Sequence, residues 1–165
     1  CSFRTESASG SILPMENGTQ DERIVVASRM VDAPAAEIFE LIADPARQPE
    51  WDGNDNLDVA LDATRVRAVG EVFAMRTSKG KTKDNLVVVF EEGRAIGWLP
   101  ADRGHEPPGH LWRWDLEPVS DSETRVTHTY DWTGVADESR WPRHRQTQSE
   151  HLLASIDRLA DLAQR

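Results

Sequence analysis

Cysteine is all but missing from this chain. Its one occurrence, Cys1, allows no intramolecular disulfide, no cysteine-built zinc site and no iron-sulfur cluster, and makes a reducing cytoplasm the expected setting. Long apolar runs are missing too. The longest aliphatic stretch, Leu86 to Phe90, falls far short of the roughly 20 residues of a membrane span. Positive charge is in deficit, with nineteen Lys and Arg against twenty-nine Asp and Glu, a formal net charge of -10. That is the wrong sign for a surface that neutralises phosphates, so neither nucleic acid nor an anionic membrane is an expected partner. Even aliphatic residues are scarce: Leu, Ile, Val and Phe number 35 of 165, close to the level below which a charged chain stays disordered. What is plentiful is tryptophan, six residues against one tyrosine.

The length suits one domain. Residues 1–21, rich in Ser, Thr, Glu and Gly with no period, read as a disordered leader, and nothing rests on Cys1. From Arg23 to Val31 the pattern is a strand, closed by Asp32-Ala33-Pro34, where proline suits a helix start. The segment 34–43 then carries an apolar stripe of Ala35, Ile38, Phe39, Leu41 and Ile42. Asp44-Pro45 repeats the start signal for a very short helix expected to break before Pro49, followed by a Trp51-Asp52-Gly53 turn. Six strands follow, at 56–62, 71–77, 84–91, 94–99, 110–117 and 123–132, with one longer loop at 101–109. After a linker at 134–139, Trp141-Pro142 opens a helix expected to run for more than twenty residues.

The last hairpin is the most informative segment. A turn centred on Asp121 pairs residues whose numbers sum to about 242, setting Trp112 opposite Tyr130, Trp114 opposite His128 and Leu116 opposite Val126, all on one face. The other face carries Arg113, Asp115, Glu117, Arg125 and Asp131, and is the wet one. Two tryptophans, a tyrosine and a histidine thus lie side by side under whatever covers the sheet, either as an aromatic core or as the wall of a pocket. The long helix is the cover. Its C-terminal half is apolar, whereas its N-terminal half sets Arg145, Gln148 and Leu152 in line with Trp141, a half-polar stripe that fits a cavity mouth or a solvated helix end. Running the alternation backwards about Lys79-Gly80 aligns Phe73 and Met75 with Val87 and Asn85. A tight Glu92-Gly93 turn aligns Val87 and Val89 with Trp98 and Ile96. In 86–90 both alternations are apolar, so inward and outward stay undecided.

Sharper motifs fail. Residues 52–58 have the composition of a calcium loop, but Leu57 stands where glycine is required and Ala63 where glutamate is. His144 and His151 are about 10.5 Å apart along a helix axis, too far to share a metal. His105 and His110 flank a Pro-Pro loop without a third ligand. No metal and no cofactor is expected.

The order strand, two short helices, six strands, long helix, together with Asp32-Ala33-Pro34 and Asp44-Pro45 through Trp51-Asp52, resembles the START-related helix-grip superfamily (SRPBCC), in particular its polyketide cyclase/dehydrase-like branch. The late strand 124–128 is similar to that family's last strand. The resemblance implies an α+β helix-grip domain over 22–165, a curved seven-stranded antiparallel sheet around a ligand cavity, acting as monomer or homodimer. It also implies a hydrophobic ligand, lipid- or polyketide-like, and in some members cyclase or dehydratase chemistry. No single catalytic motif runs through the superfamily. The candidate proton-transfer groups here are His128 and Tyr130, since burial on an aromatic wall keeps a histidine neutral. The candidate ligand-binding residues are Phe73, Met75, Trp98, Trp112, Trp114, Trp141, Gln148 and Leu152. An alternative use of the chain is as a protein-interaction or stress-related module, through the acidic stretch 50–62.

Overall fold

The computed structural model describes residues 21–61 and 64–165, so the leader expected at 1–21 lies, but for Asp21, outside the described residues. Seven strands form one antiparallel sheet: β1 (Ile24–Val31), β2 (Leu57–Leu61), β3 (Val72–Thr77), β4 (Thr82–Glu91), β5 (Ala95–Asp102), β6 (Leu111–Ser120) and β7 (Glu123–Asp131), in the order β1-β7-β6-β5-β4-β3-β2. Between the two edge strands the chain makes helices α1 (Ala35–Ala43) and α2 (Gln48–Trp51), and after the sheet it makes α3 (Trp141–His144) and α4 (Ser149–Ala163). The sheet curves around α4, which packs on β1, β7, α1 and α2. This is the α+β helix-grip architecture that the family resemblance implies. None of the described helices is long and apolar enough to cross a membrane.

Helix α1 forms as its stripe predicts. Ile38, Phe39, Leu41 and Ile42 are buried, each stabilising the fold by about 1.5–3 kcal/mol, while Glu37 and Glu40 face water. Asp44 ends α1 and caps the next turn by accepting the Ala46 N–H at 3.1 Å. The short helix does not break before Pro49. A 3-10 turn at Pro45–Arg47 runs directly into α2, and Pro49 sits within its first turn, where the missing N–H has no intrahelical partner to lose.

Strand register follows the sequence in one hairpin and departs from it in two. Between β6 and β7, Trp112 pairs with Tyr130, Trp114 with His128 and Leu116 with Val126, as expected. Between β3 and β4, Phe73 pairs with Asn85 and Met75 with Lys83, one step from the expected alignment. The turn there is longer: Thr77 and Lys81 close it, with Gly80 in the left-handed region at φ 84°. Between β4 and β5, Val87 does face Trp98, but a bulge at Val88 sets Val89 opposite Gly97 and Phe90 opposite Ile96. The bulge also settles the undecided alternation. Val87 points inward, the extra residue resets the phase, and Phe90 then packs edge-on against Phe39 at 5.7 Å.

The long C-terminal helix is interrupted. Arg145 ends α3, and Gln148 is extended at φ -113°, ψ 162° before α4 begins. The Gln148 N–H donates to His151 Nδ1 at 2.9 Å and its Nε2 donates to the Arg145 carbonyl at 2.8 Å, so local side-chain bonds replace the helical ladder. This break makes α3 a separate lip beside the sheet.

Candidate functional site

A cavity of about 670 Å³ lies between the sheet, the turn after α2, α4 and the α3 lip. Register alone builds its principal wall. Trp112 and Tyr130 pack at 4.2 Å between ring centroids, and His128 is stacked flat on Trp114 at 3.7 Å and 11°. Trp98, paired with Trp112 across β5 and β6, extends the wall.

The residues singled out in the sequence separate into three groups. Met75, Trp98, Trp112, His128 and Tyr130 line the cavity. Phe73 and Trp114 lie one layer deeper: Phe73 packs edge-on against Trp98 at 5.2 Å, and fully buried Trp114 supports His128 from behind while meeting Trp51 edge-on at 5.2 Å. Trp141, Gln148 and Leu152 do not line it. Trp141 and Leu152 pack with Trp132 and Val135 in a second cluster, and Gln148 is solvent-exposed because the helix break turns it into a cap.

The polar atoms on this wall are sparse. His128 Nδ1 lies 3.0 Å from the Arg113 carbonyl, an acceptor only, so we assign the ring proton to Nδ1 and leave Nε2 as acceptor. Burial pushes this histidine down to about 3, and it is neutral at pH 7. The Tyr130 hydroxyl is hydrogen-bonded to His144 Nδ1, and burial holds the phenol above its ordinary range. Tyr130 therefore keeps its proton, and we assign it as the donor to Nδ1, with the His144 proton on Nε2. Burial, then the nearby Arg140 and Arg143, keep His144 below its usual value. His110 stands 4.7 Å from His144 and 6.0 Å from Tyr130, and is pushed down to about 3 by burial first and His144 second. His110 Nδ1 and His144 Nε2 are both buried without a hydrogen-bond partner among the described residues.

Neither His110 nor His144 stands out in the sequence except as a rejected metal ligand. The available signal was Gly109. Its φ is 118°, and a Cβ there would sit 2.3 Å from the Gly134 carbonyl, so only glycine lets the two connections cross and deliver His110 to the cavity.

The floor comes from the turn after α2. The Trp51 indole N–H donates to the Leu41 carbonyl at 2.8 Å, and the Gly53 N–H donates to Ser155 Oγ of α4 at 2.8 Å. A Cβ on Gly53 would lie 2.6 Å from the Ser155 nitrogen, which is why this tryptophan-bearing turn needs glycine to close on α4. The calcium-like stretch is this turn. The Asp52 carboxylate accepts N–H groups of Asn54, Asn56 and Leu57, and among the described residues no group of three or more His, Cys, Asp or Glu could hold a metal. Among the described residues of the acidic stretch 50–62, Glu50 is paired with Arg47, Asp55 with Arg158 and Asp58 with Arg76.

Residues 22–164 match the family model described as polyketide cyclase / dehydrase and lipid transport. The uncharacterised protein Rv0088 of Mycobacterium tuberculosis is 31% identical over 105 residues, which are 62% of this chain and 44% of that protein. The chain thus spans less than half the length of this relative. Protein NE0264 of Nitrosomonas europaea shares the fold at a TM-score of 0.65 and 15% identity, over 88% of this chain and 96% of its own. DynU16, a protein of the dynemicin biosynthetic locus, does so at 0.60 and 21% identity, over 86% of this chain and 47% of its own.

Proposed function

The chain belongs to the polyketide cyclase / dehydrase and lipid transport family, and from that premise we propose that it binds a hydrophobic or aromatic small molecule in its interior cavity. One observation carries this reading: a space of about 670 Å³, the size of a small-molecule pocket, walled on the sheet side by Trp98, Trp112, Tyr130 and His128, with polar and charged side chains around the rest of its lining. Rings stack on such a wall, and isolated donors fix orientation. The chain would act in a reducing cytoplasm, as monomer or homodimer, on a free small molecule. Native mass spectrometry of protein purified from its own host tests the reading. A co-purifying small molecule of one mass supports it, and repeated empty protein counts against it.

A second reading, a cyclase or dehydratase of polyketide type, is favoured by the Tyr130–His144 hydrogen bond at the wall. There an incoming carbonyl oxygen would replace His144 Nδ1 as acceptor of the Tyr130 hydroxyl proton while an adjacent C–H proton leaves to a neutral imidazole. His128 is the weaker candidate for that imidazole, because a base at about 3 holds a proton poorly at pH 7. That mismatch places binding ahead of catalysis. Assay of His128→Ala and His144→Ala on a true substrate separates the roles.

A further inference from the structure

The polar atoms of the cavity are not distributed evenly. On the α3 side, Arg140 and Arg143 line it, beside the unpartnered nitrogens of His110 and His144. The charge of Arg143 is felt at Tyr130, His110 and His144, and that of Arg140 at both histidines, so these groups form one electropositive end.

Most carboxylates nearby already have partners. Asp102 is ion-paired with Lys83, the Asp52 carboxylate is taken up by its turn, and Asp137, which feels Arg140, accepts the Ser139 N–H and hydroxyl. Glu106 is the lining carboxylate with no partner among the described residues, one negative charge against two guanidinium groups. Neither Arg140 nor Arg143 takes part in an ion pair or side-chain hydrogen bond among the described residues. In a chain whose net charge is -10, unpaired arginines at a pocket mouth are a local reversal of sign.

We propose that the ligand is an anion: an apolar ring system bearing a carboxylate, held by Arg140 and Arg143. This rests on the cavity reading above and adds the ligand's charge. The chemistry is consistent at each contact. A guanidinium matches a carboxylate with two parallel N–H donors, and such charge-assisted bonds are about twice as strong as neutral ones. The aromatic body then lies along Trp112 and Trp98.

Calorimetric titration of the full chain with 2-naphthoate and with its neutral methyl ester tests this. The acid is expected to bind about tenfold tighter than the ester. Combining Arg140→Gln with Arg143→Gln removes that preference while the ester keeps its affinity. Arg29→Gln, a change in an ion pair with Asp157 remote from the cavity, leaves it intact. Equal affinities for acid and ester, or a preference that survives the double change, overturn the anion assignment and leave the cavity reading standing. Binding of neither compound overturns the cavity reading and the assignment with it.

Discussion

Tyr130 on β7 and His144 at the end of α3 are joined by a buried hydrogen bond that fastens the helical lip to the sheet. It couples the cavity's aromatic wall to its mouth. Tyr130→Phe keeps the ring and removes the donor, leaving His144 Nδ1 buried and unsatisfied. The expected cost is about 1–3 kcal/mol in urea unfolding. An unchanged midpoint would mean that the bond contributes nothing to the lip.

Gly53 touches α4 with its backbone, and an added methyl would lie 2.8 Å from the Ala154 Cβ as well as against the Ser155 nitrogen. Gly53→Ala must push the Trp51 turn off the helix. It is expected to destabilise by about 1–3 kcal/mol, as overpacking does, and to weaken ligand binding by shifting the floor. Wild-type stability in thermal unfolding would refute the close approach.

Acid should act through the buried histidines. His128 and His110 are each held at about 3 in the folded chain, against about 6.5 unfolded. The unfolded chain therefore takes up protons first as pH falls. The stability contributed by keeping both rings neutral is complete above about pH 6.5 and is lost between 6.5 and 3, at about 1.4 kcal/mol per pH unit for each ring. Urea unfolding at pH 7 and pH 5 should show wild type losing more stability than His128→Asn by about 1–2 kcal/mol. Equal losses would show that His128 is not kept neutral.

The tryptophans divide by position, and their fluorescence should divide likewise. Trp112 lines the cavity, whereas Trp132 is fully buried in the second cluster against Trp141 at 5.9 Å. Trp112→Phe is expected to remove much of any ligand-induced change in emission, and Trp132→Phe little. The reverse result would move the binding site to the other side of the sheet's end.

The parts of this site legible in the sequence are those where the two faces of a strand differ. Strands β6 and β7 alternate aromatic with charged residues, so Trp112, Trp114, His128 and Tyr130 could be placed in register. Leu86 to Phe90 is apolar on both alternations, and the bulge at Val88 that uses this ambiguity leaves no mark in the pattern. The helix break is hidden in the sequence for a similar reason. Trp141, Arg145, Gln148 and Leu152 keep a helical stripe across it, so periodicity predicts one helix where side-chain bonds at Gln148 make two. That same break carries His144, Arg140 and Arg143 to the cavity and Gln148 away from it. His110 depends on the crossing of Gly109 and Gly134, a contact between distant connections that local pattern cannot express.

The interior is proposed to be a binding cavity and not a filled core. This is tested most directly by titrating the chain with the neutral apolar dye N-phenyl-1-naphthylamine while comparing wild type with Ala101→Phe. Ala101 is buried and lines the cavity, so a phenyl group there takes up ligand space. One saturable site per chain is expected in the wild type, and at least about tenfold weaker binding in a variant whose circular dichroism still shows the native fold. Absence of saturable binding in the wild type, or undiminished binding to a folded Ala101→Phe, would contradict it.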